Sequence, residues 1–323
     1  QVGLIHLPSA EIKDEQSIYF TYKKSDYDKL GSLTVSPFKW LEATYFYYRP
    51  SDLYWGGVGS NLGKYLDKGF NVKLSYKPKN QFLPRIAVGL DDFAGTGQFT
   101  KEYIVTTYDF NSFKISTGIG FGKFVGNNGH ILDNPFKSIN NAFSVRGSSS
   151  SNFKFGGSPS YDLWFRGKGV LFSGIEFFIP KTNGLSLKIE SDPYDYFKFS
   201  CCGDGRSPLS DVARKKDSNI NIGLSYPLKR FGNLDLSFIK GNTINLSLSI
   251  GMSFNRNLQK KDRFQPKIID TDYSQTKKNE FYLDLLNNLN SNKLYLQTAT
   301  LERDKLSISI DSEEFINPIR YSS

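Results

Sequence analysis

The chain has 323 residues, with 41 Lys plus Arg against 32 Asp plus Glu, a formal net charge of +9, and 15% aromatic residues. No uninterrupted apolar run approaches the roughly 18–20 residues of a membrane-crossing helix, which excludes a helical membrane protein. His6 and His130 lie far apart and the only cysteines, Cys201 and Cys202, are adjacent, so zinc-finger spacing, a long-range disulfide framework and Cys/His catalysis have no material to build on.

From about residue 16 to 255 large apolar residues alternate with small or polar ones. Phe70, Val72, Leu74 and Tyr76 alternate with Asn71, Lys73, Ser75 and Lys77; Leu246, Leu248, Ile250, Met252 and Phe254 alternate with Asn245, Ser247, Ser249, Gly251 and Ser253. Period two gives each segment one greasy and one polar face, the signature of a strand. Twelve strands are expected, near 16–24, 28–35, 39–49, 68–77, 84–92, 97–108, 112–122, 169–178, 184–191, 217–226, 232–240 and 243–254.

The connections test this reading independently. Long ones (about 50–67, 123–168 and 192–216) all follow odd-numbered strands, whereas those after even strands are short. In an up-and-down meander every long loop then falls at one end, as in outer-membrane barrels. The reading is therefore all-β: an antiparallel transmembrane barrel of about twelve strands over 1–256. Tyr45, Tyr47, Tyr76, Phe121 and Tyr226 are expected at its interfacial girdles. A soluble β protein is the alternative that the sequence leaves open, since it does not say which face is inward.

After Asn257 the pattern breaks. Residues 259–267 read as a polar linker, and Phe281, Leu285 and Leu289, with Tyr282 and Leu286 beside them, predict an amphipathic helix. Runs at Leu294–Leu301 and Lys305–Ile310 predict a hairpin, making 257–323 a small α/β segment, expected on the periplasmic side and expected to be incomplete.

Several stretches resemble the YjbH/GfcD family of exopolysaccharide and capsule biosynthesis outer-membrane proteins. They are Gly3-Leu4-Ile5-His6-Leu7-Pro8-Ser9-Ala10, Pro37 to Thr44, Asp67 to Lys73, Ile86 to Gly97, Glu102-Tyr103, Phe165-Arg166-Gly167, Gly184 to Glu190 and Gly223 to Tyr226. The resemblance follows the first half of such a protein and implies an outer-membrane location and a part in exopolysaccharide or capsule export or surface assembly. It carries no catalytic motif, and no cofactor is expected.

Candidate residues fall into two groups. By strand parity Glu42, Asp91, Glu102, Glu176 and Glu190 are expected in the lumen, with Lys73, Arg85 and Lys188 as counter-charges and Asp92 nearby. Such a set suits a polar pathway, a paired-carboxylate glycosidase site or a lumen simply tied together by ion pairs. Connection 123–168 carries Lys137, Arg146, Lys154, Arg166, Tyr161 and Trp164, cations beside aromatics that suit an anionic polysaccharide or a lipopolysaccharide head group. A solvated loop, or a plug folded into the lumen, is the plainer account. Gly118, Gly120 and Gly122 recur every second residue with no helix after them, so they belong to a lumen-facing row and not to a nucleotide loop. Nucleic acid is not expected, because the charges form no dense stripe. Metal ligation is not expected either. The function expected is non-catalytic, in polysaccharide export or surface assembly; a diffusion porin and a closed adhesive barrel are the alternatives. Long loops would be extracellular, and a periplasmic protein would meet 258–323.

Overall fold

In the computed structural model all twelve alternating segments are strands. The structure describes residues 2–54, 63–80, 82–95, 99–110, 112–126, 130–147, 161–194, 212–228, 231–254, 278–291, 294–302 and 305–312, with single residues 61, 97, 159 and 196. Strands β1 (Ser17–Ser25), β2 (Asp28–Phe38), β3 (Leu41–Pro50), β4 (Asp67–Tyr76), β5 (Arg85–Asp91), β6 (Lys101–Phe110) and β7 (Phe113–Gly122) form a meander. A two-residue strand, β8 (Ile131–Leu132), lies in the long connection before β9 (Gly169–Phe178) and was not expected. The meander continues through β10 (Ser186–Ser191), β11 (Ile220–Pro227), β12 (Gly232–Ile239) and β13 (Thr243–Ser253). β9 pairs with both β7 and β10, and β13 pairs with β1 from Ser17↔Ser253 to Ser25↔Asn245, so the sheet closes into a twelve-stranded antiparallel barrel.

The two faces invert the arrangement of a soluble protein. Along β13, Thr243, Asn245, Ser247 and Ser249 are buried, while Ile244, Leu246, Leu248, Ile250 and Met252 are exposed. β11 repeats the pattern with Asn221 and Ser225 inside and Ile222, Leu224 and Tyr226 outside. An apolar exterior around a polar lumen is the transmembrane-barrel solution and decides between the two readings left open above.

The lumen is not uniform. On β5 and β7 glycines face inward beneath aromatic rings. A Cβ at Gly89 would strike the Tyr103 ring, one at Gly118 the Phe172 ring and one at Gly120 the Phe124 ring. Phe124 stacks on Phe172 at 5.3 Å between centroids and meets Tyr103 edge-on. With Ala87, Val105, Val170, Leu7 and Ala10 these rings form an internal hydrophobic core against one wall. The opposite wall, β11 through β2, is lined by Asn221, Ser225, Ser237, Asn245, Ser247, Ser249, Thr21, Ser32 and Thr34. Gly118→Ala would bring its methyl to 2.7 Å from the Phe172 ring and closer still to the Ile104 carbonyl. It is expected to lower stability by about 1–3 kcal/mol, read as a shift in the urea midpoint of unfolding from micelles.

Two sequence expectations fail for one reason: connection 123–168 folds down over the outward row of β6 and β7. Phe121 is fully buried against Phe136 and Phe165 rather than standing in a girdle, whereas Tyr45, Tyr47, Tyr76 and Tyr226 are exposed on the outside as expected. Glu102 pairs with Leu90 and Phe121 in the row opposite to inward Tyr103 and Val105, so it faces outward and not into the lumen, yet it is completely covered.

The chain divides into two compact units, Gln1–Asn257 and Leu258–Ser323. In the second, helix α1 (Lys278–Ser291) packs on β14 (Leu294–Glu302), which pairs with β15 (Lys305–Ser312). Phe281, Leu285, Leu286 and Leu289 are half-buried, while Tyr282 and Leu283 are exposed. The final Ile316-Asn317-Pro318-Ile319 stretch and Cys201-Cys202 lie outside the described residues.

Candidate functional site

The lumen holds the chain's own N-terminal segment. Residues 2–13 enter beside Glu42 on β3 and double back, with Gly3 bridged to Pro8 and the Leu4 N–H donating to the Leu7 carbonyl. The turn is tight enough that a Cβ at Gly3 would strike the Leu7 carbonyl oxygen. Leu7 and Ala10 belong to the internal core, and Leu4 packs against it.

Two carboxylates grip the backbone of this segment. Glu42 accepts from the Val2 and Lys13 N–H groups, each at 3.1 Å, and pairs with Lys73 at 3.3 Å. Lys73 in turn donates to the Val2 carbonyl at 2.7 Å. Glu190 on β10 accepts from the N–H groups of Ile5, His6 and Leu7 at 2.9–3.1 Å and from Asn221 Nδ2 at 2.9 Å. Lys188 reaches the Gly3 and Leu4 carbonyls, Ser75 donates to the Ala10 carbonyl, and the Ala10 N–H donates to Thr107. Fixed, buried charges aimed at peptide groups satisfy a segment whose N–H and C=O groups would otherwise lose their hydrogen bonds on burial.

The predicted site residues are thereby sorted. Glu42 and Lys73 are partners; Glu176 pairs with Lys188 at 3.8 Å; Asp91 pairs with Lys101 at 3.3 Å. Glu190 has peptide donors in place of a cation. Arg85 begins β5 on its inward row with no ion pair among the described residues. Glu102 is bound on the outer wall by Arg146, at 2.6 and 2.9 Å in bidentate form, and by the Phe165 N–H. The second group of candidates is dispersed. Trp164 lies edge-on to Tyr161 and Phe93, Arg166 offers its carbonyl to Arg146, Lys137 is exposed, and Lys154 lies outside the described residues. The loop is organised by Asn134, whose Nδ2 donates to the carbonyls of Phe143, Phe165 and Gly167. Among its described residues, Phe124 and Val125 turn inward onto the internal core, and the part around Phe136, Phe143 and Phe165 packs on the outer wall.

Cavities border the segment on two sides. One of about 280 Å³ opens at the long-loop end among Lys23, Asp28, Tyr48, Asp91, Asp92, Lys101, Tyr194, Tyr196, Arg214 and Lys240. The other, about 540 Å³, opens at the short-turn end along the hydroxyl- and amide-lined wall. Ile5, His6 and Leu7 border both, as do Lys23, Ser32, Asn71 and Asn245, so the segment narrows the lumen along one wall. The Lys23 ammonium has no ion pair or hydrogen bond among the described residues. At the long-loop mouth Lys101 lies over the rings of Phe124 and Tyr194, and Lys240 over those of Tyr27 and Tyr196, at 5.3–5.7 Å. The sequence signal for this cation–aromatic mouth is the pairing of Tyr194 and Tyr196 with Arg214 and Lys216 across one long loop, which the reading above passed over.

His6, Glu190 and Asp192 come close enough to suggest a metal centre. Within the group Tyr196 donates to Asp192 and lies 2.7 Å from His6 Nδ1, and Asn221 donates to both carboxylates. The cluster is a hydrogen-bond hub that ties the tip of the segment to the long-loop rim.

Asp92, just past β5, adopts a left-handed φ of 54° and is buried, with Oδ1 lacking a hydrogen bond. Burial, then the neighbouring Asp67 and Asp91 carboxylates, push its carboxyl well above the usual range. The native state thus holds this proton to higher pH than the unfolded chain does, so stability falls as pH rises through that window. Asp92→Asn, which keeps the shape and tolerates the same φ, is expected to gain about 1 kcal/mol at neutral pH. That gain should shrink on acidification, as thermal melts across pH would show.

Comparisons with known proteins fit this architecture. The family model for YjbH, described as "Exopolysaccharide biosynthesis protein YbjH", matches residues 1–320. The "Uncharacterized lipoprotein YjbH" of Escherichia coli (strain K12) is 30% identical over 258 residues, 79% of this chain, and the chain spans about a third (34%) of that relative's length. Among solved structures, a KdgM porin is similar over 74% of this chain and 99% of its own, at 11% identity and a TM-score of 0.37. A NanC porin matches over 73% and 98% at 7% identity and a TM-score of 0.34. Outer membrane phospholipase A from Escherichia coli matches over 74% and 96% at 11% identity and a TM-score of 0.30. Likeness at this distance carries no argument about activity.

Proposed function

Because the chain belongs to the YjbH exopolysaccharide biosynthesis family, we propose that it serves export or surface assembly of an anionic exopolysaccharide as a non-catalytic outer-membrane barrel. The observation that carries this reading is the lumen itself. A segment bound through its peptide groups narrows it, and the free wall offers Ser, Thr and Asn side chains together with Lys23, whose ammonium has no acidic partner among the described residues. Hydroxyl and amide groups exchange hydrogen bonds with sugar hydroxyls at little net cost, and a lone lysine suits passing carboxylates. The cation-bearing aromatic rings at the long-loop mouth suit sugar faces and acidic groups together. The orientation proposed has the long loops extracellular and the termini periplasmic, following the usual distribution of connections in such barrels. Residues 258–323 would then meet a periplasmic protein partner.

The test is single-channel conductance of the purified protein in a planar bilayer, with and without acidic polysaccharide. A small steady conductance that the polymer reduces supports the reading. A large conductance indifferent to the polymer makes the barrel a diffusion porin. Silence under both conditions moves the function to the loops and leaves the lumen a filled core.

A further inference from the structure

The outer wall carries an arrangement that neither the lumen nor the loops explain. At the long-loop end of β1, β2 and β3 the outward residues are Lys24, Lys29 and Arg49, all exposed. The register sets Lys24 directly opposite Lys29, and Lys29 directly opposite Arg49. Lys68 on β4, opposite Tyr47, extends the group diagonally. None of the four has an acidic partner among the described residues. Like charges directly opposite one another on a sheet are destabilising, so three in a row call for an anion from outside the chain.

The next outward row toward the middle of the barrel is Tyr22–Gly31–Tyr47, again in register across the same strands. A Cβ at Gly31 would meet nothing within 4 Å, so the glycine leaves an open notch between two tyrosines. Below it lies a third row, Phe20–Leu33–Tyr45, continued by Phe70, whose ring is 5.2 Å from that of Tyr45. Cations, an aromatic-walled notch and an apolar strip therefore follow one another along the membrane normal.

We propose that this quarter of the wall is a binding site for a phosphorylated glycolipid of the outer leaflet. Its phosphates would sit on Lys24, Lys29 and Arg49, a sugar ring in the notch between Tyr22 and Tyr47, and its acyl chains along Phe20, Leu33 and Phe70. Arg and Lys in a row recognise phosphate through charge-assisted hydrogen bonds, and tyrosines are suited to the level where headgroup meets hydrocarbon. The site rests on the orientation given above, since it needs the long-loop end to meet the leaflet that carries such a lipid.

The test is native mass spectrometry of the full chain in detergent, titrated with bis-phosphorylated lipid A, with its dephosphorylated form, or with phosphatidylglycerol. Retention of the phosphorylated glycolipid above both others is expected, without competition from free inorganic phosphate. The triple variant K24Q/K29Q/R49Q should weaken it on the order of a hundred-fold, each cation near a charged membrane surface being worth roughly five-fold. Gly31→Leu, which fills the notch without touching the fold, should weaken the glycolipid and spare phosphatidylglycerol. Unchanged binding by the triple variant overturns the site, and so does equal retention of phosphatidylglycerol with no effect of Gly31→Leu. Binding in detergent is independent of orientation. An epitope inserted after Ser138 and read on intact cells tests that premise separately, so the two failures can be told apart.

Discussion

Glu190→Leu is expected to free the N-terminal segment and to raise single-channel conductance several-fold. Its carboxylate is the sole side-chain acceptor described for three consecutive peptide N–H groups, Ile5, His6 and Leu7, and is almost wholly buried. Each hydrogen bond to a charged acceptor is worth about 1.5–3 kcal/mol, and a buried donor left unmade carries a further penalty. Because the three share one acceptor they do not simply add, and a loss on the order of 4 kcal/mol is reasonable. That shifts the balance between held and released segment by about three orders of magnitude. Glu190→Gln keeps the volume but one acceptor oxygen, so its conductance should fall between those of Leu and the parent. Deleting residues 2–10 should match Glu190→Leu. If the deletion opens the channel while Glu190→Leu does not, the Glu42–Lys73 anchor at the base of the segment suffices alone, and the role given to Glu190 is wrong.

The strands were legible because a barrel wall writes its two solvents into alternate residues. In β13 the alternation of Ser and Asn with Leu and Ile runs unbroken, and no tertiary contact overrides it. The site was less legible because parity speaks only of the wall. Glu42 and Glu190 were found as lumen acids and Lys73 as a counter-charge, but both carboxylates also accept from peptide N–H groups of the segment 2–13, whose sequence has neither period. Nothing in periodicity says that a short apolar stretch will be swallowed by the barrel that follows it. Glu102 shows the converse failure. It lies on the outward row, where a carboxylate is out of place, and the loop that covers it supplies Arg146 from 44 residues away. The glycine row Gly118–Gly120 was assigned to the lumen from its spacing, yet its purpose, room for Phe172 and Phe124, needed the fold.

At the long-loop rim a second buried charge cluster should be the most stability-sensitive point of the barrel. Arg214 grips Asp28 at the start of β2 through Nη1 and Nη2 at 3.0 and 2.7 Å, and grips Asp52, just past β3, through Nε at 2.9 Å and through Nη2. Tyr48 donates to the same Asp28 at 2.8 Å. Only a planar fork reaches both carboxylates at once, so lysine is not a substitute. Arg214→Met leaves Asp52, fully buried, beside Asp28 with its main counter-charge gone. Breaking a buried pair from one side is expected to lose about 3–5 kcal/mol, read as a fall in the midpoint of the heat-induced mobility shift on gels. Adding Asp52→Asn to Arg214→Met removes the stranded charge and should recover a good part of that loss; recovery from the second substitution is the mark of the pair, because a packing defect at Arg214 would be deepened by it. The segment in the lumen is held by other groups, Glu42 and Glu190, and should stay in place in both variants. Protection of residues 2–13 from hydrogen exchange therefore separates a loosened rim from an opened channel. Loss of that protection in Arg214→Met would mean that the rim cluster and the segment form one cooperative unit through Tyr196 and Asp192.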